Sequence, residues 1–202
     1  MYNKNTSGEH FETAAINSLL SLYKYFLIDL TNTIKKPVQG LKVLEVGCGP
    51  GFMLEQFESA GAKEIIGVDI SEDMLQRASK RSAKSVKVQA DAADLPFDSN
   101  IFDIVFSRGS IFFWSDLDKA FESIRRVTKN GGTIFVGGGY GLSTPEEIIK
   151  KIRENRSGSN ENKIPRLDPE ILCKKAQAYG DFAEILSAPK RGFWLNWKKV
   201  DS

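Results

Sequence analysis

The chain has little cysteine, one histidine, no long apolar run and no excess of either charge. Two cysteines, Cys48 and Cys173, are too few for a disulfide framework or a cysteine-based zinc site, and no metal centre is expected. The longest apolar stretch, residues 19–30, is interrupted by Lys24 and Asp29 and is too short to cross a bilayer, so no membrane contact is expected. The 28 basic and 26 acidic side chains nearly cancel, leaving a net charge of +2 and no electrostatic footprint for nucleic acid. Lys80, Arg81, Lys84 and Lys87 cluster where a helix should end, and cations there complement the helix dipole. The polar start, Met1-Tyr2-Asn3-Lys4-Asn5, lacks the apolar region and cleavage site of a signal peptide, and the simplest expectation is a cytoplasmic protein. What remains is ordinary: 202 residues, 41% apolar and 27% charged, enough for one domain with a proper core.

Against this background one segment stands out, Val43-Leu44-Glu45-Val46-Gly47-Cys48-Gly49-Pro50-Gly51. An apolar strand carrying an acidic residue runs into three glycines at alternate positions. Glycines so spaced let the backbone turn sharply and let a ligand lie against bare main chain. A buried strand feeding such a turn, with a helix behind it, is how doubly wound α/β folds make a nucleoside cofactor site. The spacing G-x-G-x-G differs from the dinucleotide pattern G-x-G-x-x-G, and no Gly-Lys-Ser/Thr follows to make a phosphate-binding Walker loop. Glu45 would repel a pyrophosphate but would favour a cationic cofactor. S-adenosylmethionine (SAM), with a sulfonium, an ammonium and no phosphate, is such a cofactor.

The rest of the chain alternates strand and helix: strand 42–46, helix 51–60, strand 64–68, helix 72–82, strands 86–89 and 102–106, helix 116–129 and strand 132–137. That rhythm predicts a parallel sheet with crossover helices. Between 91 and 101 no helix is evident. Before this core, apolar residues at three- and four-residue spacing from Phe11 to Ile34 predict a helix over 9–34, with Ser7 as its cap. After it, Thr144-Pro145-Glu146-Glu147 and Asp168-Pro169-Glu170 read as two helix starts, with Thr144 capping the first. Residues 157–166 are polar and turn-rich. Residues 182–188 and 192–199 read as a hairpin.

Five motifs in order carry a resemblance to a known family. Glu45-Val46-Gly47-Cys48-Gly49-Pro50-Gly51 is followed by Gly67-Val68-Asp69-Ile70-Ser71 after a second strand and Asp91-Ala92-Ala93-Asp94-Leu95-Pro96-Phe97 after a third. Phe102-Asp103-Ile104-Val105-Phe106-Ser107 reads as a fourth strand, and Lys129-Asn130-Gly131-Gly132-Thr133-Ile134-Phe135-Val136 leads into a fifth. From about residue 41 to 138 the chain resembles the class I SAM-dependent methyltransferases. The resemblance implies a doubly wound α/β fold whose seven-stranded, mostly parallel sheet ends in a C-terminal antiparallel hairpin, with helices on both faces. It divides a single domain, 1–202, into an N-terminal helical cap (1–40), a cofactor-binding core (41–138), and substrate-side helices with the hairpin (139–202).

The same resemblance implies roles. Gly47, Gly49 and Gly51, with Cys48 among them, form a floor where a side chain would fill the space of the cofactor's methionine portion. Glu45 orients the loop or the methionine ammonium. Asp69, at the end of the second strand, accepts from the ribose hydroxyls, as an acid at this place does in nucleoside-binding α/β folds. Ile70 and Met74 either pack on the adenine or belong to the core. Asp91 accepts from the adenine amino group while the Ala92 N–H meets a ring nitrogen. Ser107 and Arg108 follow the fourth strand, where Arg108 either reaches a cofactor carboxylate or an anionic substrate, or is a surface cation. Phe112, Trp114 and Tyr140 are candidates for the acceptor pocket, the first two from the apolar run Ser110-Ile111-Phe112-Phe113-Trp114. His10, the sole histidine, is a base only if the N-terminal helix folds over the site; the plainer reading is an exposed place near a frayed end.

The activity so implied is methyl transfer by in-line displacement, with no general base demanded and a small-molecule acceptor. The Asn/Asp-Pro-Pro-Tyr/Phe signature of base-amino methylation is absent after the fourth strand. Two other classes stay open at this stage: a SAM-binding sensor or partner subunit without turnover, and a nicotinamide oxidoreductase on the same topology, against which Glu45 and the glycine spacing argue.

Overall fold

The computed structural model describes residues 20–156 and 165–200. Five apolar runs form parallel strands: β1 (Lys42–Val46), β2 (Glu64–Asp69), β3 (Val86–Gln89), β4 (Phe102–Arg108) and β5 (Thr128–Gly139). Two more, β6 (Phe182–Ala188) and β7 (Gly192–Lys198), form a hairpin whose β7 pairs antiparallel with β5. The sheet order is β3-β2-β1-β4-β5-β7-β6. A sheet of this kind needs cover on both faces, and alternate residues along each strand meet that need. Val43, Ile65, Ile104, Phe106, Phe135 and Trp194 face helices α1 (Tyr23–Ile34), α2 (Phe52–Ser59) and α3 (Glu72–Arg81). Leu44, Val68, Val105, Ile134 and Leu195 face α4 (Leu117–Val127) and α6 (Pro169–Gln177). Helix α5 (Glu146–Arg156) adds Ile152 to the first face.

Helix starts follow their caps. Ser71 accepts from the Met74 N–H at 3.4 Å and Asp116 from the Lys119 N–H at 3.0 Å. Asp168 accepts from the Glu170 N–H at 2.9 Å beside Pro169 at the first position of α6. Thr144 does not act as the expected cap of α5: its hydroxyl is buried without a hydrogen-bond partner, because the turn closes through the Thr144 N–H to Gly141 O instead. Helix α4 stops two residues short of the expected 129, where the Thr128 hydroxyl donates back to Ile124 O at 2.7 Å. Strand β5 accordingly begins at Thr128 rather than 132, with a register shift against β4 between Phe102 and Ile104. The segment between β3 and β4 is irregular, as expected, and Arg126 fastens it by donating to Leu95 O at 2.7 Å and to Phe97 O. Of the helix expected over 9–34, the described residues show a 3-10 turn at Leu20–Leu22 ahead of α1; residues 9–19, with His10, and Ser7 and residues 157–164 lie outside the described residues. Among the described residues no helix is long and apolar enough to cross a membrane.

An aromatic stack fixes α1 over the middle of the sheet. Trp194 lies 4.9 Å from Phe135 with planes 10° apart, 5.8 Å from Phe106 and 5.3 Å from Phe26 of α1. Next to it the chain narrows: a Cβ on Gly137 would come within 2.2 Å of Phe193 O and 2.9 Å of Trp194 Cα, both backbone atoms of β7. Overpacking against backbone costs about 1–3 kcal/mol, so Gly137→Ala is expected to lower the unfolding free energy by that amount. Urea unfolding checks it; an unchanged midpoint contradicts the close packing of β5 on β7.

Candidate functional site at the sheet edge

Strand register places the chemistry-bearing residues at one edge. Val46 pairs with Val68, Asp69 with Gln89, and Arg108 with Gly137, so the carboxyl ends of β1 to β5 converge there. Ligands in open α/β sheets bind at this edge. Gly47, Gly49 and Gly51 have φ of +71°, +51° and +85°, conformations that L side chains avoid. The loop they make is held by Asp69, whose Oδ2 accepts from the Gly49 N–H at 2.9 Å and whose Oδ1 accepts from the Ser71 N–H at 3.0 Å. Gly47 and Cys48 both donate to Val68 O, at 2.7 and 2.9 Å. The Cys48 side chain turns inward, against the apolar cluster with Leu54, so the residue faces the site through its main chain.

Two of the glycines are also required by their protein neighbours. A Cβ on Gly47 would stand 2.2 Å from Ser110 Cβ, and a Cβ on Gly51 would stand 3.0 Å from Ala78 of α3. Ser110 is a residue the sequence reading passed over. Its hydroxyl donates to Val46 O at 3.0 Å, lies 2.6 Å from Ser107 Oγ, and accepts from Trp114 Nε1 at 3.1 Å. Ser107 is thereby sealed under Ser110.

Glu45 sits beneath this loop, 4% exposed, and its Oε2 has no hydrogen-bond partner. Burial, reinforced by the nearby Asp69 carboxylate, pushes its carboxyl well above the usual range, while the Leu54 N–H in the first turn of α2 and Arg108 act the other way. Asp69 is also raised, by burial, against the pull of its backbone donors. Tyr23 of α1 roofs this corner, its ring 5.1 Å from Phe52. Burial raises its phenol, and Arg108, Glu45 and Arg81 all act on it. Sequence reasoning missed Tyr23, which falls three residues before the apolar Phe26 on the same helical face; that spacing was the available signal. Arg108 donates to Gly139 O at 3.1 Å and lies 4.9 Å over the Phe26 ring.

The other expected residues divide. Asp91 is exposed and accepts from the Ala93 N–H at 2.9 Å, with Ala92 buried beside it. Ile70 is exposed at the same edge, whereas Met74 is core. Phe112, Trp114 and Tyr140 are not brought together. Phe112 packs edge-on to Phe193 and, like Trp114, belongs to the α4–α6 face. Tyr140 lies on the other face with Tyr23 and Phe26. The candidates thus lie on different faces of the sheet, because the 3-10 turn Ile111–Phe113 sends Phe112 down against β5 and β7. A cavity of about 370 Å³ opens elsewhere, between α1, residues 142–143 and the hairpin. No residue of the glycine loop lines it, so it is separate from this edge. Among the described residues, no group of three or more His, Cys, Asp or Glu is placed to hold a metal ion.

The donor set suits SAM: a buried carboxylate with an unsatisfied oxygen for a cation, a second carboxylate at the end of β2 with lone pairs left for hydroxyls, and bare main chain between them. Two neighbouring carboxylates, answered by no salt bridge among the described residues, oppose a pyrophosphate.

Comparison with known proteins agrees. A methyltransferase-domain family profile matches residues 44–136. The ubiquinone/menaquinone biosynthesis C-methyltransferase UbiE of Idiomarina loihiensis is 33% identical over 201 residues, covering 91% of this chain and 76% of that protein. A crystal structure of a candidate SAM-dependent methyltransferase from Methanococcus maripaludis superposes with a TM-score of 0.84 at 25% identity, covering 100% of this chain and 97% of that one. The mitochondrial arginine-hydroxylase NDUFAF5 of Mus musculus is 34% identical over 105 residues, which is 52% of this chain and 30% of that protein. The chain thus spans less than a third of that relative's length. The chain belongs to the class I SAM-dependent methyltransferases.

Two expectations follow. Asp69→Ala removes the loop clamp and the ribose acceptor together. With charge-assisted hydrogen bonds worth about 1.5–3 kcal/mol each, S-adenosylhomocysteine affinity should fall at least tenfold by calorimetry; unchanged affinity contradicts the assignment. The raised Glu45 and Asp69 carboxyls hold protons more firmly than free acids do. A bound ammonium stabilises the ionised forms and drives protons off, so affinity rises with pH until the free-state pKa values are passed. Over the pH range in which affinity rises, and below the α-amino pKa, titration in buffers of different ionisation enthalpy should show net proton release. Proton uptake contradicts the placement of the ammonium at Glu45.

Proposed function

We propose that the chain transfers a methyl group from SAM to a small-molecule acceptor. The single observation that carries this is the buried, unsatisfied Glu45 beside the Asp69-clamped glycine loop. When bound, the cofactor supplies an activated methyl whose leaving group is a neutral thioether, so no proton need be delivered to it. The chain's own residues orient and desolvate. Glu45 and the glycine loop would hold the amino-acid end, and Asp69 the ribose. Asp91, Ala92 and Ile70 would border the adenine. Tyr23 and Phe52 exclude water above Glu45. Holding the reacting groups in line in a dry site supplies much of the rate enhancement in such a reaction.

A small acceptor is supported by the near-balanced charge, which offers no nucleic-acid surface. The similar UbiE protein methylates carbon in quinone biosynthesis by its name, and several similar proteins are malonyl-[acyl-carrier protein] O-methyltransferases; these support a metabolic acceptor without choosing one. A second reading, cofactor binding without methyl transfer, is favoured by the likeness to a protein named a hydroxylase. The test is formation of S-adenosylhomocysteine from SAM across a panel of small acids, phenols, amines and quinols, with RNA, DNA and protein as controls. Methylation of a small molecule is expected. Methylation of only the macromolecules, or of nothing despite tight cofactor binding, sinks the proposal.

A further inference from the structure

Arg108 carries a guanidinium that acts on Glu45 and Tyr23 without closing a salt bridge with a described residue. Its side chain rises from the end of β4 and turns toward β5, where it donates to Gly139 O at 3.1 Å. Its Nε is buried with no hydrogen-bond partner. No carboxylate among the described residues forms a salt bridge with it. What surrounds it is aromatic: the Phe26 ring at 4.9 Å and the Tyr23 ring at 5.8 Å. The guanidinium is only partly withdrawn from water, and one carbonyl with two ring faces leaves donors of its fork free. A guanidinium left in this condition at a binding edge is suited to an oxyanion, which its planar donors grip in pairs.

The order of residues along the edge says whose oxyanion it is. Asp91 follows β3, Asp69 ends β2, and Glu45 with its glycines ends β1. In this placement the nucleoside and the ammonium of the cofactor fall between β3 and β1. Arg108 lies on the next strand, near enough to Glu45 to act on its carboxyl, and donates across to Gly139 O at the end of β5. Tyr140 is half-buried and shares the cluster of Tyr23 and Phe26. The post-β5 segment is firmly set: Ser143 N donates to Asp29 Oδ1 of α1 at 2.9 Å, and Arg191 donates to Gly141 O, Leu142 O and Thr144 O.

We propose that Arg108 reads a carboxylate on the methyl acceptor, whose body extends toward Tyr140 at the end of β5. This rests on the methyltransferase reading and names the acceptor class for it: small carboxylic acids. The methylated atom is a separate matter from the recognised group.

The experiment uses benzoate and benzamide as probes, identical in shape and different in charge. Each is titrated into the full chain saturated with S-adenosylhomocysteine, and the titration is repeated with Arg108→Met and Arg108→Lys. Benzoate is expected to bind more than tenfold tighter than benzamide. Arg108→Met is expected to erase that preference with less than a tenfold loss of S-adenosylhomocysteine affinity, and Arg108→Lys to restore part of it. Equal binding of the two probes to the unaltered chain overturns the proposal, whatever the variants do. A tenfold or greater loss of S-adenosylhomocysteine affinity in folded Arg108→Met also overturns it and assigns the arginine to the cofactor's own carboxylate. Failure of S-adenosylhomocysteine to bind the unaltered chain is a different result: it removes the methyltransferase reading on which this one stands.

Discussion

The site depends on one buried carboxylate. Glu45 is taken out of water at the end of β1, under the first turn of α2 and the Tyr23 ring of α1. An ion in that position costs several kcal/mol unless it is paired. The fold gives it one helix N–H, a distant guanidinium and a neighbouring carboxylate that makes matters worse. In the ligand-free chain burial shifts this carboxyl toward its protonated form. A cation in the site shifts it the other way, and that difference is a source of selectivity for a positively charged ligand over a phosphate-bearing one.

The remainder of the fold serves to hold that carboxylate and its neighbours in register. The parallel strands bring Glu45, Asp69, Asp91 and Arg108 to one edge in the order of the sheet, which spreads them along the path of an extended ligand. Asp69 does two tasks there, clamping Gly49 and Ser71 while keeping capacity for further donors. The antiparallel β7 contributes Trp194, whose stack with Phe135, Phe106 and Phe26 seats α1 and so carries Tyr23 to its place above Glu45. A strand far from the glycine loop in sequence thus controls how well the loop is covered.

Much of this was legible in the chain. The strand-and-helix rhythm gave the β1 to β4 boundaries to within two residues, because apolar runs and caps such as Ser71 and Asp168 are local signals. Gly47, Gly49, Asp69 and Glu45 were legible as a constellation because backbone freedom and charge are properties of the residues themselves. Contacts made by distant segments were not legible. Ser110 reaching across to Gly47, Ala78 against Gly51, Tyr23 over Glu45, and Phe112 turning away from Tyr140 are all tertiary choices. Thr144 had the right local pattern for a cap, and Arg191 gathering the carbonyls of its loop overrode it.

The most direct measurement of the central claim is calorimetric titration of the chain with SAM, with S-adenosylhomocysteine, and with NAD. Micromolar binding of a SAM-type ligand with no binding of NAD is the predicted result. Binding of NAD with neither SAM-type ligand would contradict the account and move the site to nicotinamide chemistry.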